Sequence, residues 1–259
     1  MQADWRLAEI EKARVADLMA MLPPQAGTAV DIGARDGFIS MALADRGVSV
    51  TALDLEQPAI HDPRITCVKG DATALDFADG SFDLVFCAEV LEHIPSVLLE
   101  TACAELARVA RRHLLIGVPY KQDLRLDRST CSNCGKINPP WGHVNRFDEK
   151  RLSELFAGCK IAQTSFVGQT SEVSNFLSTR LMAAAGNPYG TYGQDEPCIH
   201  CSAALAAPVA RTLADRCLTK AAVLARKAQA PFVTPRPKWI HVLFEKHADC
   251  KNASAGSHN

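Results

Sequence analysis

Several kinds of segment are missing from this chain of 259 residues. No apolar run approaches the roughly eighteen residues needed to cross a bilayer, so nothing reads as a membrane span. Neither charge is in excess: 28 basic residues face 29 acidic ones, which leaves no electrostatic footprint for nucleic acid or an anionic membrane. The opening, Met1-Gln-Ala-Asp-Trp5-Arg-Leu-Ala-Glu-Ile10, is acidic and amphipathic and lacks the basic start and apolar stretch of a signal peptide. Internal repeats are also absent. Together these absences predict a cytoplasmic protein without membrane or nucleic-acid partners. The ten cysteines are then expected as thiols or metal ligands rather than disulfides, and the sequon at Asn252 is expected to carry no glycan.

What is present is a regular alternation. A hydrophobic fraction of 47% is enough for one large α/β domain with an elaboration. Helical spacing runs over 4–21, through Trp5, Val15, Leu18 and Met19, until Pro23-Pro24 stop it. Strands are predicted near 28–32, 49–53, 65–68, 83–87 and 113–118, with helices at 38–46 and 96–109. Such alternation implies a parallel sheet covered by helices on both faces, with ligands bound outside the carboxyl ends of its strands. Beyond Pro119 the rhythm breaks. A loop covers 120–147, followed by a helix at 148–157, a strand at 159–167, a helix at 171–185, a loop from 186 to 202 and an Ala-rich helix at 203–229. The alternating run Trp239-Ile-His-Val-Leu-Phe-Glu245 reads as a last strand, and a tail from Asp249 as disordered.

The most informative residues lie in the first strand and turn. Val30-Asp-Ile-Gly-Ala-Arg-Asp-Gly37 ends a strand at a carboxylate, turns on Gly33 and Gly37, and opens a helix at Phe38. About twenty residues on, Asp54 closes a second apolar run, where an acid can hold a ribose. A carboxylate immediately before the turn suits a cationic ligand better than a pyrophosphate.

This arrangement resembles motif I of the class I S-adenosylmethionine-dependent methyltransferases, usually Asp/Glu-x-Gly-x-Gly-x-Gly. Gly70-Asp71-Ala72, the run from Phe82 to Ile94 and Leu114-Leu-Ile-Gly-Val-Pro119 match the family's later segments in order, so the resemblance covers residues 28–119. It implies a Rossmann-like, doubly wound α/β fold with a mostly parallel seven-stranded sheet and an antiparallel last strand. It implies an S-adenosylmethionine site at Asp31, Gly33, Ala34, Arg35 and Gly37, at Asp54 and Leu55, at Asp71 and Ala72, and at Cys87 and Glu89. The motif's middle glycine is Arg35 here, whose long side chain must turn away from the ligand or contact it. The chain divides accordingly into an N-terminal helix (1–24), a cofactor-binding core (25–119), an elaboration (120–202), a long helix with closing strand (203–248) and a tail (249–259).

A second constellation lies in the irregular region. Cys131-Ser-Asn-Cys134-Gly has the tight turn of a zinc knuckle, and Cys198-Ile-His-Cys201 repeats its spacing. Four thiolates would close a structural Zn2+ site, with His143 or His200 as possible substitutes for one of them. Against this stands a separation of 63 residues, far beyond the usual zinc-ribbon interval, so the pairs are alternatively incidental or redox-active. Cys67, Cys87, Cys103, Cys159 and Cys217 read as small core residues.

Between the pairs, Trp141-Gly-His143-Val-Asn-Arg-Phe147-Asp148 resembles a segment of bacterial small-molecule and glycan methyltransferases of this class. Asp148 is placed to cap the next helix. Asn138-Pro-Pro-Trp141 is similar to a nucleic-acid N-methyltransferase motif, but stands far from the fourth strand, where that motif belongs. The reading is a methyltransferase acting on a small molecule or saccharide, at oxygen, by direct displacement. Its candidate bases are His93, Glu89 and His143, with His143 alternatively a tether for its loop. The alternatives are a non-catalytic cofactor-binding protein that recognises a partner through its zinc loop, and a nucleic-acid N-methyltransferase.

Overall fold

The computed structural model describes residues 8–194 and 196–246. Trp5, the tail from Asp249, Cys250 and the sequon lie outside the described residues. Two compact units emerge. The first comprises the described residues within Met1–Tyr120, Phe147–Gly168 and Lys238–Asn259, the second Lys121–Arg146 and Gln169–Pro237. Among the described residues no helix is long and apolar enough to cross a membrane.

The first unit is a seven-stranded sheet. Its strands are β1 (Thr28–Ile32), β2 (Ser49–Asp54), β3 (Ile65–Lys69), β4 (Phe82–Ala88), β5 (Ala110–Pro119), β8 (Cys159–Val167) and β9 (Trp239–Lys246), in the order β3-β2-β1-β4-β5-β9-β8. Neighbours from β3 to β5 run parallel, and β9 is antiparallel to both β5 and β8. This is the doubly wound fold expected. The closing strand lies inside the sheet, while β8, mostly exposed along its length, forms the edge. β4 and β5 read as nearly unbroken apolar runs because helices cover both faces. Val85 and Cys87 face one core with Leu99, Cys103 and Leu106 of α3 (Leu99–Val109) and Leu152 of α4 (Glu149–Leu155). Leu84 and Phe86 face the other, with Leu18 of α1 (Glu9–Ala20) and Leu43 of α2 (Phe38–Ala44). Asp148 does cap α4, its side chain accepting from the Arg151 amide at 2.8 Å.

Helix α1 is fastened by a buried polar link. Asp17 accepts from His241 Nδ1 at 2.6 Å and from the Ser165 hydroxyl at 2.7 Å, joining the helix to β9 and β8. His241 is fully buried, and burial outweighs the neighbouring carboxylate to lower its pKa, so the ring is neutral and donates from Nδ1. Asp17→Ala strands that donor. The expected cost is about 2 kcal/mol of unfolding free energy, read from denaturant midpoints, and an unchanged midpoint would contradict the link.

In the second unit, β6 (Ser129–Thr130) and β7 (Ile137–Asn138) form a short antiparallel ribbon, and α5 (Phe176–Ala184) packs on α6 (Leu213–Gln229). Asn175, at the start of α5, donates to Ala225 and Gln229 near the end of α6, at 2.9 and 3.1 Å, so the helices run antiparallel. Both begin later than their composition suggests. The helix expected from 171 starts at Phe176, where Asn175 and Ser178 form a capping box. The helix expected from 203 starts at Leu213, behind the capping box of Thr212 and Asp215. Pro208 lacks the amide a longer helix would need, so residues 203–207 stay non-helical despite their alanines.

Candidate functional site

At the carboxyl ends of β1 and β2 the chain builds a cradle from backbone. The Gly33 and Ala34 amides donate to the Leu53 carbonyl at 2.8 and 3.1 Å, folding the turn over the end of β2. Gly33 and Gly37 adopt φ of 76° and 80°, and Arg35 joins them in the left-handed region with φ 45°. That conformation explains why a glycine is usual at the middle glycine position of the motif: a side-chain-bearing residue there costs about 1–2 kcal/mol. Arg35 is exposed, and its amide donates to Asp54 Oδ2 at 2.8 Å, while the Leu55 amide donates to Asp54 Oδ1 at 2.7 Å. One amide on each oxygen fixes the carboxylate of Asp54.

Asp31 sits beneath this turn, 2% exposed, accepting the Ser40 hydroxyl at 2.6 Å. Its burial raises the pKa to about 7, the Ser40 hydrogen bond opposes that, and repulsion from Asp54 adds to it. Next in the row, the Gly70 amide reaches the Asp54 carbonyl at 2.9 Å, and Asp71 Oδ1 accepts from the amide and hydroxyl of Thr73, both at 2.8 Å. The structure therefore brings Asp31, Gly33, Arg35, Asp54 and Asp71 to one end of the sheet. Leu55 is exposed, and Ala34 and Ala72 are buried. Cys87 requires a correction as a cofactor contact. Its side chain falls on the α3 face of β4 and is wholly enclosed in the core, leaving no surface for a ligand.

The turn after β4 carries acids in an unusual setting. Glu89 has φ 57°, and its amide bonds the Gly117 carbonyl at 2.9 Å. Its Oε1 is buried without a hydrogen-bond partner among the described residues. Burial raises its pKa, opposed by the charge of Arg14 and a hydrogen bond to Trp239. Glu92 escaped the sequence reading. It is fully buried, both oxygens lack hydrogen-bond partners among the described residues, and burial with the nearby Glu89 raises its pKa. Its sequence signal was an acid enclosed by Val90, Leu91 and Ile94. His93 is half-buried in the same turn. His143 belongs to the second unit, where it is 7% exposed and its Nδ1 meets Gln122 Oε1 at 2.7 Å, as a loop tether would.

The second unit gathers the four cysteines whose spacing suggested a metal. Sγ of Cys131 lies 3.7 Å from Sγ of Cys201, and Cys134 lies 3.7 Å from Cys198. All four sulfurs fall within 4.8 Å of one another. The two loops are copies of one turn. In the first, Cys131 N reaches the Lys136 carbonyl and Gly135 N the Cys131 carbonyl, both at 2.9 Å. In the second, Cys198 N reaches the Ala203 carbonyl and Ser202 N the Cys198 carbonyl, both at 2.8 Å. The residue after the second cysteine is left-handed in each, Gly135 at φ 70° and Ser202 at φ 57°.

Neither histidine takes a place in the cluster, since His200 Nε2 meets the Ile137 carbonyl at 3.2 Å and His143 is engaged with Gln122. Asn133 donates to Cys201 at 3.5 Å. Asn138, from the Asn-Pro-Pro-Trp run, is buried and accepts the Ile199 amide at 2.9 Å, which ties the loops together. Burial pushes the Cys198 thiol up, but the amides of His200 and Cys201 and the Asn138 side chain bring it down to about 6. Ser202→Gly removes the left-handed penalty and is expected to add about 1 kcal/mol of stability, as a raised thermal midpoint.

Comparison with known proteins agrees with the architecture. The family model described as a methyltransferase domain matches residues 30–114. A ubiquinone biosynthesis O-methyltransferase of Aromatoleum aromaticum is 36% identical over 90 residues, 30% of this chain and 38% of that protein. For another, from Paracidovorax citrulli, identity is 26% over 42% of this chain and 51% of the relative, so the chain spans about half or less of these curated relatives. The structure of a 1,6-didemethyltoxoflavin-N1-methyltransferase of Burkholderia thailandensis, with S-adenosylhomocysteine bound, aligns with a TM-score of 0.52 at 16% identity, covering 93% of this chain and 80% of that one. Residues 30–114 are thus similar to a methyltransferase domain, within a fold shared with a solved methyltransferase structure.

Proposed function

We propose that this protein transfers the methyl group of S-adenosylmethionine to an oxygen of a small molecule or saccharide. The observation that carries this reading is the carboxylate of Asp54, held by one amide on each oxygen beside the glycine turn, with buried Asp31 below it. Two carboxylates in one cradle suit a ligand with a ribose and a positive charge. Bound S-adenosylmethionine would supply a methyl carbon already activated on a sulfonium. Asp54 would hold the ribose, Asp31 would favour the cationic end, and Asp71 would border the adenine. The relatives named as O-methyltransferases support oxygen as the receiving atom.

An acceptor hydroxyl needs a base, and Glu89 is the one we favour over His93 and His143. Its buried oxygen without a hydrogen-bond partner among the described residues is free to take up a proton, and burial raises its pKa above the ordinary carboxylate range. The test is incubation of the protein with methyl-labelled cofactor and fractionated cell extract, followed by identification of the labelled product. Cofactor binding without any labelled product would favour the non-catalytic alternative.

Asp31 gives the site a pH signature. Its pKa is about 7 in the fold against 3.8 for the free side chain, so between these values the folded protein holds a proton that the unfolded chain has lost. Its contribution to stability is accordingly present at low pH and is lost as pH rises through that window. A cation favours the carboxylate form, so cofactor affinity is expected to rise toward pH 7 and then level off. Asp31→Asn should flatten that profile in calorimetric titrations, and a profile unchanged by the substitution would remove Asp31 from the site.

We further propose that Cys131, Cys134, Cys198 and Cys201 hold one structural Zn2+. Tetrahedral zinc with thiolates at about 2.3 Å places sulfurs about 3.8 Å apart. The two 3.7 Å separations match that edge. With all four positions taken by sulfur, no open position remains for catalysis.

A further inference from the structure

The second unit contains a recess that none of the motifs above occupies. Its cavity volume is about 580 Å³, and Lys121, Arg125, Arg146 and Arg236 line it together with Asp123. We infer that this recess binds the phosphate group of a small phosphorylated molecule.

The concentration of charge is local. The chain as a whole balances 28 basic against 29 acidic residues, yet the described residues that line this recess set four cations against one carboxylate. Asp123 is fully engaged. Its Oδ1 accepts from Arg125 Nε at 2.9 Å, and its Oδ2 accepts from Arg125 Nη2 at 3.1 Å and from the amide and hydroxyl of Ser174, both at 2.7 Å. Although burial works against it, these bonds hold Asp123 well below the ordinary carboxylate range. It orients Arg125 and cancels its charge, which leaves the guanidiniums of Arg146 and Arg236 for a phosphate dianion to answer.

Arg236 shows that the recess is built. Its backbone is pinned by both hydrogen bonds of a bridge to Thr170, at 2.9 and 2.8 Å, and its Nη2 donates to the Glu172 carbonyl at 3.2 Å. Its Nε is buried with no hydrogen-bond partner among the described residues. A buried, unspent guanidinium donor is costly, and an anion oxygen would satisfy it. Guanidinium forks match phosphate geometry in a way a lone ammonium does not, and three of the four cations are arginines. A concave volume of this size suits a small molecule.

The test is calorimetric titration of inorganic pyrophosphate into the full-length metal-loaded protein, with S-adenosylhomocysteine titrated separately into the same samples. Wild-type protein is expected to bind pyrophosphate, more weakly as salt rises. Arg146→Gln, at an exposed side chain whose loss does not threaten folding, should weaken pyrophosphate about tenfold, and Arg146→Gln with Arg236→Gln should weaken it further. S-adenosylhomocysteine affinity should stay unchanged in both. No binding of pyrophosphate by wild type, or equal binding by the variants, would overturn the site. A single-stranded oligonucleotide that binds more tightly than pyrophosphate and is lost in the same variants would overturn the small-molecule assignment.

Discussion

Cys198→Ser is expected to release the metal and to unfold the segments Lys121–Arg146 and Gln169–Pro237 together. Cys198 is 1% exposed, and with Cys131 and Leu205 it makes up the small buried cluster around the sulfurs. Few other apolar side chains stand in for a core there. Structural zinc contributes roughly 10–16 kcal/mol of folding free energy in small domains at neutral pH, far more than such a cluster can supply. Four thiols this close also cannot all ionise without a cation. Against the Lys136 amide, burial and the three other sulfurs push Cys134 up to about 11, while Cys198 falls. Metal analysis should give one zinc per wild-type chain and none in the variant. Limited proteolysis should then cut between Lys121 and Arg146, and chelation of wild type should reproduce the pattern. A metal-free wild-type protein with an unaltered thermal midpoint would end the proposal.

Asp54→Ala should weaken S-adenosylhomocysteine binding by about 100-fold in calorimetry, the loss of two charge-assisted hydrogen bonds at about 1.5 kcal/mol each. Two effects combine in that figure. The carboxylate would hold both ribose hydroxyls, and it also anchors the Arg35 and Leu55 amides that shape the turn. Asp54→Asn keeps an acceptor for one of those amides and should fall between wild type and alanine. Affinity unchanged by alanine, with the fold intact, would sink the ribose assignment.

The row of acids from Asp31 to Asp71 was legible because each lies at the end of a short apolar run beside a turn residue, a pattern written within a few positions. Arg35 was legible only as a departure. Its left-handed backbone shows that the position demands a conformation rather than the absence of a side chain. Cys87 misled because alternation along β4 could not say which face carried the core and which the ligand. Glu92 went unread because its one signal, an acid among apolar residues, is equally compatible with an exposed turn, and only the fold encloses it fully. The late starts of α5 and α6 have the same origin: helical composition continues upstream of caps whose hydrogen bonds form only in the folded chain.

The sequence by itself determined the strand and helix alternation, the glycine turn with its flanking carboxylates, and the two identical cysteine turns. All depend on local backbone preference and on hydrophobic period. Only the tertiary structure decided that cysteine pairs with 63 residues between them converge on one point, that Asn138 bridges them, and that four cations from three separate stretches line one recess. Those are long-range closures. Their free energy comes from burial and pairing across the whole unit, which no window of sequence contains.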